Sequence, residues 1–225
     1  MWNECKDLQE YIVGLRRDLH QIPELGLHLP ETAAYVTAEL DKIGIPYICS
    51  KKDSGIIATI KGGKPGKHTV LLRGDIDALP ITENPGKSYC SLNPGVMHAC
   101  GHDCHTSMLL GAAKILSAHR DEIHGTVKLV FQPAEELSPV GGSRGMLESG
   151  YLDDAKAVYG LHVWPDLPHG KVGVKAGPLM AATDHFTITI HGKTAHGAKP
   201  DQGIDAVVLG AQFVMAAQSI VSRKV

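Results

Sequence analysis

Three short apolar runs in this chain each stop at a cluster of polar side chains, and that repetition constrains the fold more than any other feature. The run VLL leads into RGDID and sets Arg73, Asp75 and Asp77 at a strand end. VKLVF leads into QPAEE and sets Glu135 and Glu136 there, while AVYGL leads into His162. Helical patterns interleave with such runs. Leu8, Ile12, Leu15 and Leu19 recur at helical spacing, as do Ala33, Val36, Leu40 and Ile43 before a capping Gly44, and residues 107–119 read as a further helix. β-rich runs lie at 45–49, 55–60, 69–72, 126–131 and 157–163. Strands alternating with helices predict an α/β layered domain with a largely parallel central sheet. Ligands of such sheets bind at the carboxyl ends of the strands, where these polar residues fall.

The texture changes near Ala176. Asp184, Phe186, Ile188 and Ile190 alternate with His185, Thr187 and Thr189, which predicts a strand with one buried face. The loop GKTAHGAKPDQG then leads into a long apolar helix over 204–220. One strand and one helix cannot cover their own apolar faces, so residues 178–225 are expected to be part of a second domain that comes after a first over 1–177.

With 225 residues and 43% hydrophobic content, the chain can form one well-packed domain plus part of another. Its 22 basic and 24 acidic residues leave no electrostatic footprint for nucleic acid or an anionic membrane, so small-molecule chemistry is expected. The start, MWNECKDLQEYIVGLRRDLH, lacks the unbroken apolar stretch of a signal peptide, and no later run is long enough to span a bilayer. Five cysteines form an odd set, which favours reduced thiols and a cytoplasmic location. Of the 13 histidines, several crowd between His98 and His105.

That crowding, VMHACGHDCHT, brings imidazoles and a thiol near the strand-end carboxylates, which is what a metal site requires. Cys100 and His102 flank one glycine, so a thiolate and an imidazole can face the same point as a half-site for zinc. Asp103 and Asp75 are candidates to accept the second ring proton of a ligand histidine. Adjacent glutamates in an extended segment point in different directions, so Glu135 and Glu136 can divide proton handling from metal binding. Taken singly, each of these residues also reads as an ordinary packing histidine or solvated acid.

RGDIDALP, MHACGHDCHT, FQPAEE and GLHVWP, preceded by RRDLHQIPELGLHLPET, succeed one another in the order of a known family. The chain resembles the metal-dependent amidohydrolases of the aminoacylase and carboxypeptidase metallopeptidase family, in the branch of hippurate hydrolases, indole-acetyl-amino-acid hydrolases and acetyl-diaminopimelate deacetylases. The resemblance implies a phosphorylase/hydrolase-like layered zinc-peptidase catalytic domain and the start of a small α+β, ferredoxin-like lid and dimerisation domain. It implies two divalent metal ions, zinc or manganese with cobalt or nickel as alternatives. Cys100 would bridge them, His102 and His162 would complete one, and Glu136 would serve the other. Glu135 becomes the catalytic base, and His196 of GKTAHGAKP polarises the scissile carbonyl across a dimer interface. His98, His105 and Cys104 are not metal positions in the family. His105 is read as shaping the site, Cys104 as variable, and Asp77 as orienting the site without touching metal.

Family members are expected to run to nearly twice this length and to supply a last histidine ligand from the missing part, so the chain reads as truncated. The implied activity is hydrolysis of N-acyl amino acids or similar small amides by metal-activated water, in a homodimer when complete. A carboxypeptidase or dipeptidase acting on small peptides uses the same chemistry. A fragment that binds metal or dimerises without catalysis is the alternative from another class.

Overall fold

The strand runs pair into one five-stranded sheet, with β1 (Tyr47–Cys49), β2 (Ile56–Lys61), β3 (Lys64–Asp75), β4 (His124–Gln132) and β5 (Ala155–Gly160) in the order β1-β2-β4-β3-β5. The computed structural model describes residues 2–182 and 184–224, in two compact units, Met1–Gly173 and Val174–Val225. The sheet lies in the first. It is mixed rather than largely parallel: β3 runs parallel to β4 and β5, whereas β1 with β2 and β2 with β4 are antiparallel. The reason is connection length. β1 reaches β2, and β2 reaches β3, through short turns, which reverse direction because a parallel return needs a long crossover. β4 then inserts between β2 and β3.

Helices α1 (Trp2–Asp7), α2 (Gln9–Gln21), α3 (Pro30–Ile43), α4 (His102–Ala118) and α5 (Gly142–Glu148) complete this unit. α3 begins with proline in its first turn, where a missing N–H costs nothing, and stops at Gly44. Gly44 takes the left-handed conformation, φ 77°, and donates its N–H to the Leu40 carbonyl. α4 starts five residues earlier than its apolar pattern suggests, so Cys104 and His105 ride on its first turn.

Strand alternation divides the core. Ile56, Ala58 and Ile60 of β2 and Leu129 and Phe131 of β4 face a large cluster with Leu15 of α2, Leu40 of α3 and Leu110 of α4. Ile57, Leu71 and Val130 face the other way, against Met146 of α5. Helices therefore cover both faces of the sheet, as layered α/β domains require.

A charged cluster ties α2, the segment after β3 and α4 together. His20 Nδ1 lies 2.6 Å from Asp103 Oδ2, and its Nε2 lies 3.1 Å from Glu83 Oε1. Both partners are acceptors, so both ring nitrogens carry protons and His20 is an imidazolium. Arg16 Nε reaches the same Asp103 oxygen at 2.9 Å.

The second unit contains α6 (Ala206–Lys224). The alternation at 184–190 does not become a ladder strand. A strand needs a partner, and the one pairing among the described residues here is the bridge between Lys193 and Ile204, which leaves Phe186 72% exposed. No described helix is long and apolar enough to cross a membrane.

This packing sets the response to two substitutions. Phe131 is fully buried, so Phe131→Ala is expected to cost about 3–5 kcal/mol in denaturant unfolding, and a loss within the ~0.5 kcal/mol of a surface site contradicts the packing. The hydrogen bond to Asp103, then that to Glu83, raise the His20 pKa above 6.5 although burial opposes them. A raised folded pKa stabilises fully below the unfolded value and loses that contribution as pH rises through the folded value. The unfolding midpoint of chelator-treated protein is therefore expected to fall as pH rises above about 6.5, with a shallower fall in His20→Asn. Identical pH profiles contradict the imidazolium.

Candidate metal centre

The parallel strands β3, β4 and β5 end at one edge, with Asp75 opposite Gln132 and Arg73 opposite Gly160 in register. The segments leaving the three strands therefore converge, and α4 begins at the same edge. Asp75, Asp77 and His102 are each about 1% exposed, and Ile76 between the aspartates is fully buried in the core. Alternation about Ile76 turns both carboxylates to the opposite side.

His102 is the centre of the arrangement. Its Nδ1 lies 3.3 Å from Asp77 Oδ1. Its Nε2 lies 3.6 Å from Asp75 Oδ2, 3.8 Å from Glu136 Oε1 and 3.9 Å from Glu135 Oε2. Asp77 also accepts the Glu136 N–H at 3.0 Å, so one carboxylate holds the Glu136 main chain and faces His102. Cys100 Sγ lies 3.4 Å from His162 Nε2, and His162 Nδ1 donates to the Val163 carbonyl at 2.6 Å. That bond leaves Nε2 as the free lone pair. Donor atoms of Cys100, His102 and His162 fall within 4.8 Å of one another, as do those of His102, Glu135 and Glu136.

Local backbone makes these approaches possible. Gly101 sits at φ 84°, and a Cβ there would collide with Val163 Cγ2, so only glycine lets the Cys100–His102 corner meet the segment that carries His162. Ala134, fully buried, takes a positive φ of 52° just before the glutamate pair. An L side chain pays about 1–2 kcal/mol for that conformation, strain of the kind that collects at functional sites.

The electrostatics call for a cation. Burial first, then Glu136, Glu135 and Asp75, push the Cys100 thiol up to about 12. Burial raises the Glu135 pKa, and Glu136 and Asp75 add to it. Burial alone would raise Asp75 too, but its hydrogen bond with His105 and the nearby His102 and Arg73 hold it down to about 2. Glu136 Oε1 and both ring nitrogens of His102 are buried without a hydrogen-bond partner. Unpartnered buried donors facing a thiol and carboxylates fit a bound divalent metal, and thiolate with imidazole suits zinc.

Every predicted site residue of the first unit, Cys100, His102, Glu135, Glu136 and His162, lies in this arrangement. His196 lies in the second unit, exposed, with its Nδ1 accepting the Ala198 N–H. Two expectations need correction. Asp103 does not face a ligand histidine, because it is committed to His20 and Arg16. Asp75 hydrogen-bonds to His105 at 2.6 Å, and Asp77 stands opposite the second ring nitrogen of His102. Sequence reading passes over Arg16, His20 and Glu83, whose positions inside ordinary helical and loop patterns give no signal of the cluster they form.

A profile of the peptidase family M20/M25/M40 matches residues 71–223. The N-acyl-L-amino acid amidohydrolase of Geobacillus stearothermophilus is 47% identical over 214 residues, covering 95% of this chain and 57% of that protein. The N-acetyl-L-cysteine deacetylase of Bacillus subtilis is 46% identical over 218 residues, covering 97% and 52%. A Bacillus subtilis crystal structure, described as a dinuclear metal binding peptidase, superposes with a TM-score of 0.73 at 42% identity, covering 77% of this chain and 48% of that one. The chain thus spans about half the length of the curated relatives it matches. Because the profile spans the metal-centre residues and most of the sequence, the chain belongs to the peptidase family M20/M25/M40.

Proposed function

We propose that this site hydrolyses the amide bond of N-acyl amino acids with the aid of two divalent cations, zinc or manganese. The observation that carries this reading is the pair of buried, unpartnered donors His102 Nε2 and Glu136 Oε1, which face the same space as Cys100, His162 and Glu135. The names of the two amidohydrolase relatives support the substrate class, and the dinuclear peptidase supports the cation count.

In this reading Cys100, His102, His162 and Glu136 would hold the cations, with His102 and His162 on the side of Cys100 and Glu136 on the side of Glu135. Such cations, when bound, lower the pKa of a water molecule to about 7 and polarise the substrate carbonyl. Glu135 is left to move the proton. Its carboxylate, partly exposed and raised in pKa by burial and by neighbouring carboxylates, takes a proton from the attacking water and returns it to the departing amine. The products are a carboxylic acid and a free amino acid. His196 from a second copy of the chain is assigned to donate to the carbonyl oxygen as it gains negative charge. The five cysteines are free thiols, which suits the reducing cytoplasm.

The test is a panel of N-acyl amino acids and dipeptides with added zinc or manganese. Glu135→Gln is expected to lower kcat about 100- to 10,000-fold while metal binding persists. Turnover unchanged by Glu135→Gln contradicts the assigned base. Preference for dipeptides with free amino termini contradicts the substrate class.

A further inference from the structure

His105 stands outside the proposed ligand set, yet it is 3% exposed and both of its ring nitrogens are engaged. Its Nδ1 lies 2.6 Å from Asp75 Oδ1, and its Nε2 accepts the main-chain N–H of Val163 at 3.0 Å. An amide N–H can only donate, so Nε2 is unprotonated and Nδ1 carries the proton given to Asp75. The bond to Asp75 thus fixes the tautomer that accepts from Val163. On its other side, Val163 offers its carbonyl to His162 Nδ1, which turns His162 Nε2 toward Cys100 Sγ.

We propose that His105 is a positioning residue: it holds the main chain at Val163 so that His162 presents Nε2 beside Cys100, and it thereby sets the affinity of the metal centre. The inference rests on the metal-binding reading of the site. Such a strut matters for His162, because among the described residues β5 has no strand on its far side and His162 and Trp164 on the segment leaving it are exposed. The nearby packing of Val163 against Gly101 limits approach but has no directionality. The hydrogen bond from Val163 to His105 supplies it. Asp75 serves the strut by fixing the tautomer of the ring, and it keeps its own place without His105, because its Oδ2 accepts from Arg73 at 2.6 Å and its main-chain carbonyl accepts from Thr106 at 2.9 Å.

The two functions of the ring separate by substitution. Asparagine at 105 keeps a donor near the place of Nδ1 and removes the acceptor at Nε2. Glutamine keeps an acceptor near the place of Nε2 and sacrifices the bond to Asp75. Cobalt(II) is titrated into the 225-residue chain, and binding is read from the thiolate-to-cobalt absorption band of Cys100, independently of turnover. His105→Asn is expected to weaken cobalt binding about 10- to 100-fold, as loss of a residue supporting a ligand typically does, while His105→Gln stays close to the unsubstituted chain. Circular dichroism of the metal-free variants checks the fold. Should His105→Asn not fold, His105→Gln decides alone: affinity like that of the unsubstituted chain supports the strut, and a loss of about tenfold or more overturns it. Equal weakening in two folded variants, or unweakened binding by His105→Asn, also overturns it. Absence of the band from the unsubstituted chain overturns the metal reading itself, and the strut with it.

Discussion

Buried negative charge at the carboxyl edge of the sheet is the constraint on which the rest of the site depends. Asp75 and Asp77 are almost wholly inaccessible, and one oxygen of Glu136 is buried without a partner. A buried charge with nothing to balance it costs several kcal/mol, so positive charge or donated protons must meet these groups. Arg73 and His105 serve Asp75, and the His102 ring faces Asp77. Burial first, and then the neighbouring carboxylates, push the Cys100 thiol to about 12 and raise Glu135. A bound divalent cation would reverse that effect, since it would favour both thiolate and carboxylate.

The fold produces this field by ordinary means. Parallel pairing of β3 with β4 and β5 brings three strand ends to one edge, and α4 delivers its first turn to the same place. Alternation along the end of β3 buries Ile76 in the core and turns the two aspartates to the site. The local exceptions, Gly101 and Ala134 at positive φ, fall where the backbone must bend sharply to bring a ligand segment near. Behind the site, the His20 cluster satisfies Asp103, a second buried carboxylate on the first turn of α4. Two carboxylates on different elements, Asp75 and Asp103, are thereby each held by a histidine distant in sequence.

Much of this is legible in the chain because it is written in local order. The apolar runs ending in RGDID, QPAEE and His162 mark strand ends, and Gly44 marks a helix end, since both signals depend on neighbours in sequence. Pairing is not legible. β4 lies between β2 and β3 although it comes last of the three, and the antiparallel half of the sheet arises from short turns whose partners the sequence does not name. The alternation at 184–190 shows the same limit, because a strand pattern without a partner within the described residues forms no ladder. At the site, residue types are readable but hydrogen-bond partners are not. Asp103 belongs to His20, 83 positions away, and His105 belongs to Asp75 and Val163.

In the proposed reading, Cys100, His102, Glu136 and His162 would form a metal centre with a sulfur ligand. The most direct measurement is X-ray absorption at the zinc edge on the zinc-loaded chain, with Cys100→Ser as the comparison. The expected spectrum contains a sulfur scatterer at about 2.3 Å together with nitrogen or oxygen at about 2.0–2.2 Å, and the sulfur shell vanishes in Cys100→Ser. A shell of nitrogen and oxygen alone in the unsubstituted chain, or a sulfur shell that survives the substitution, contradicts the account.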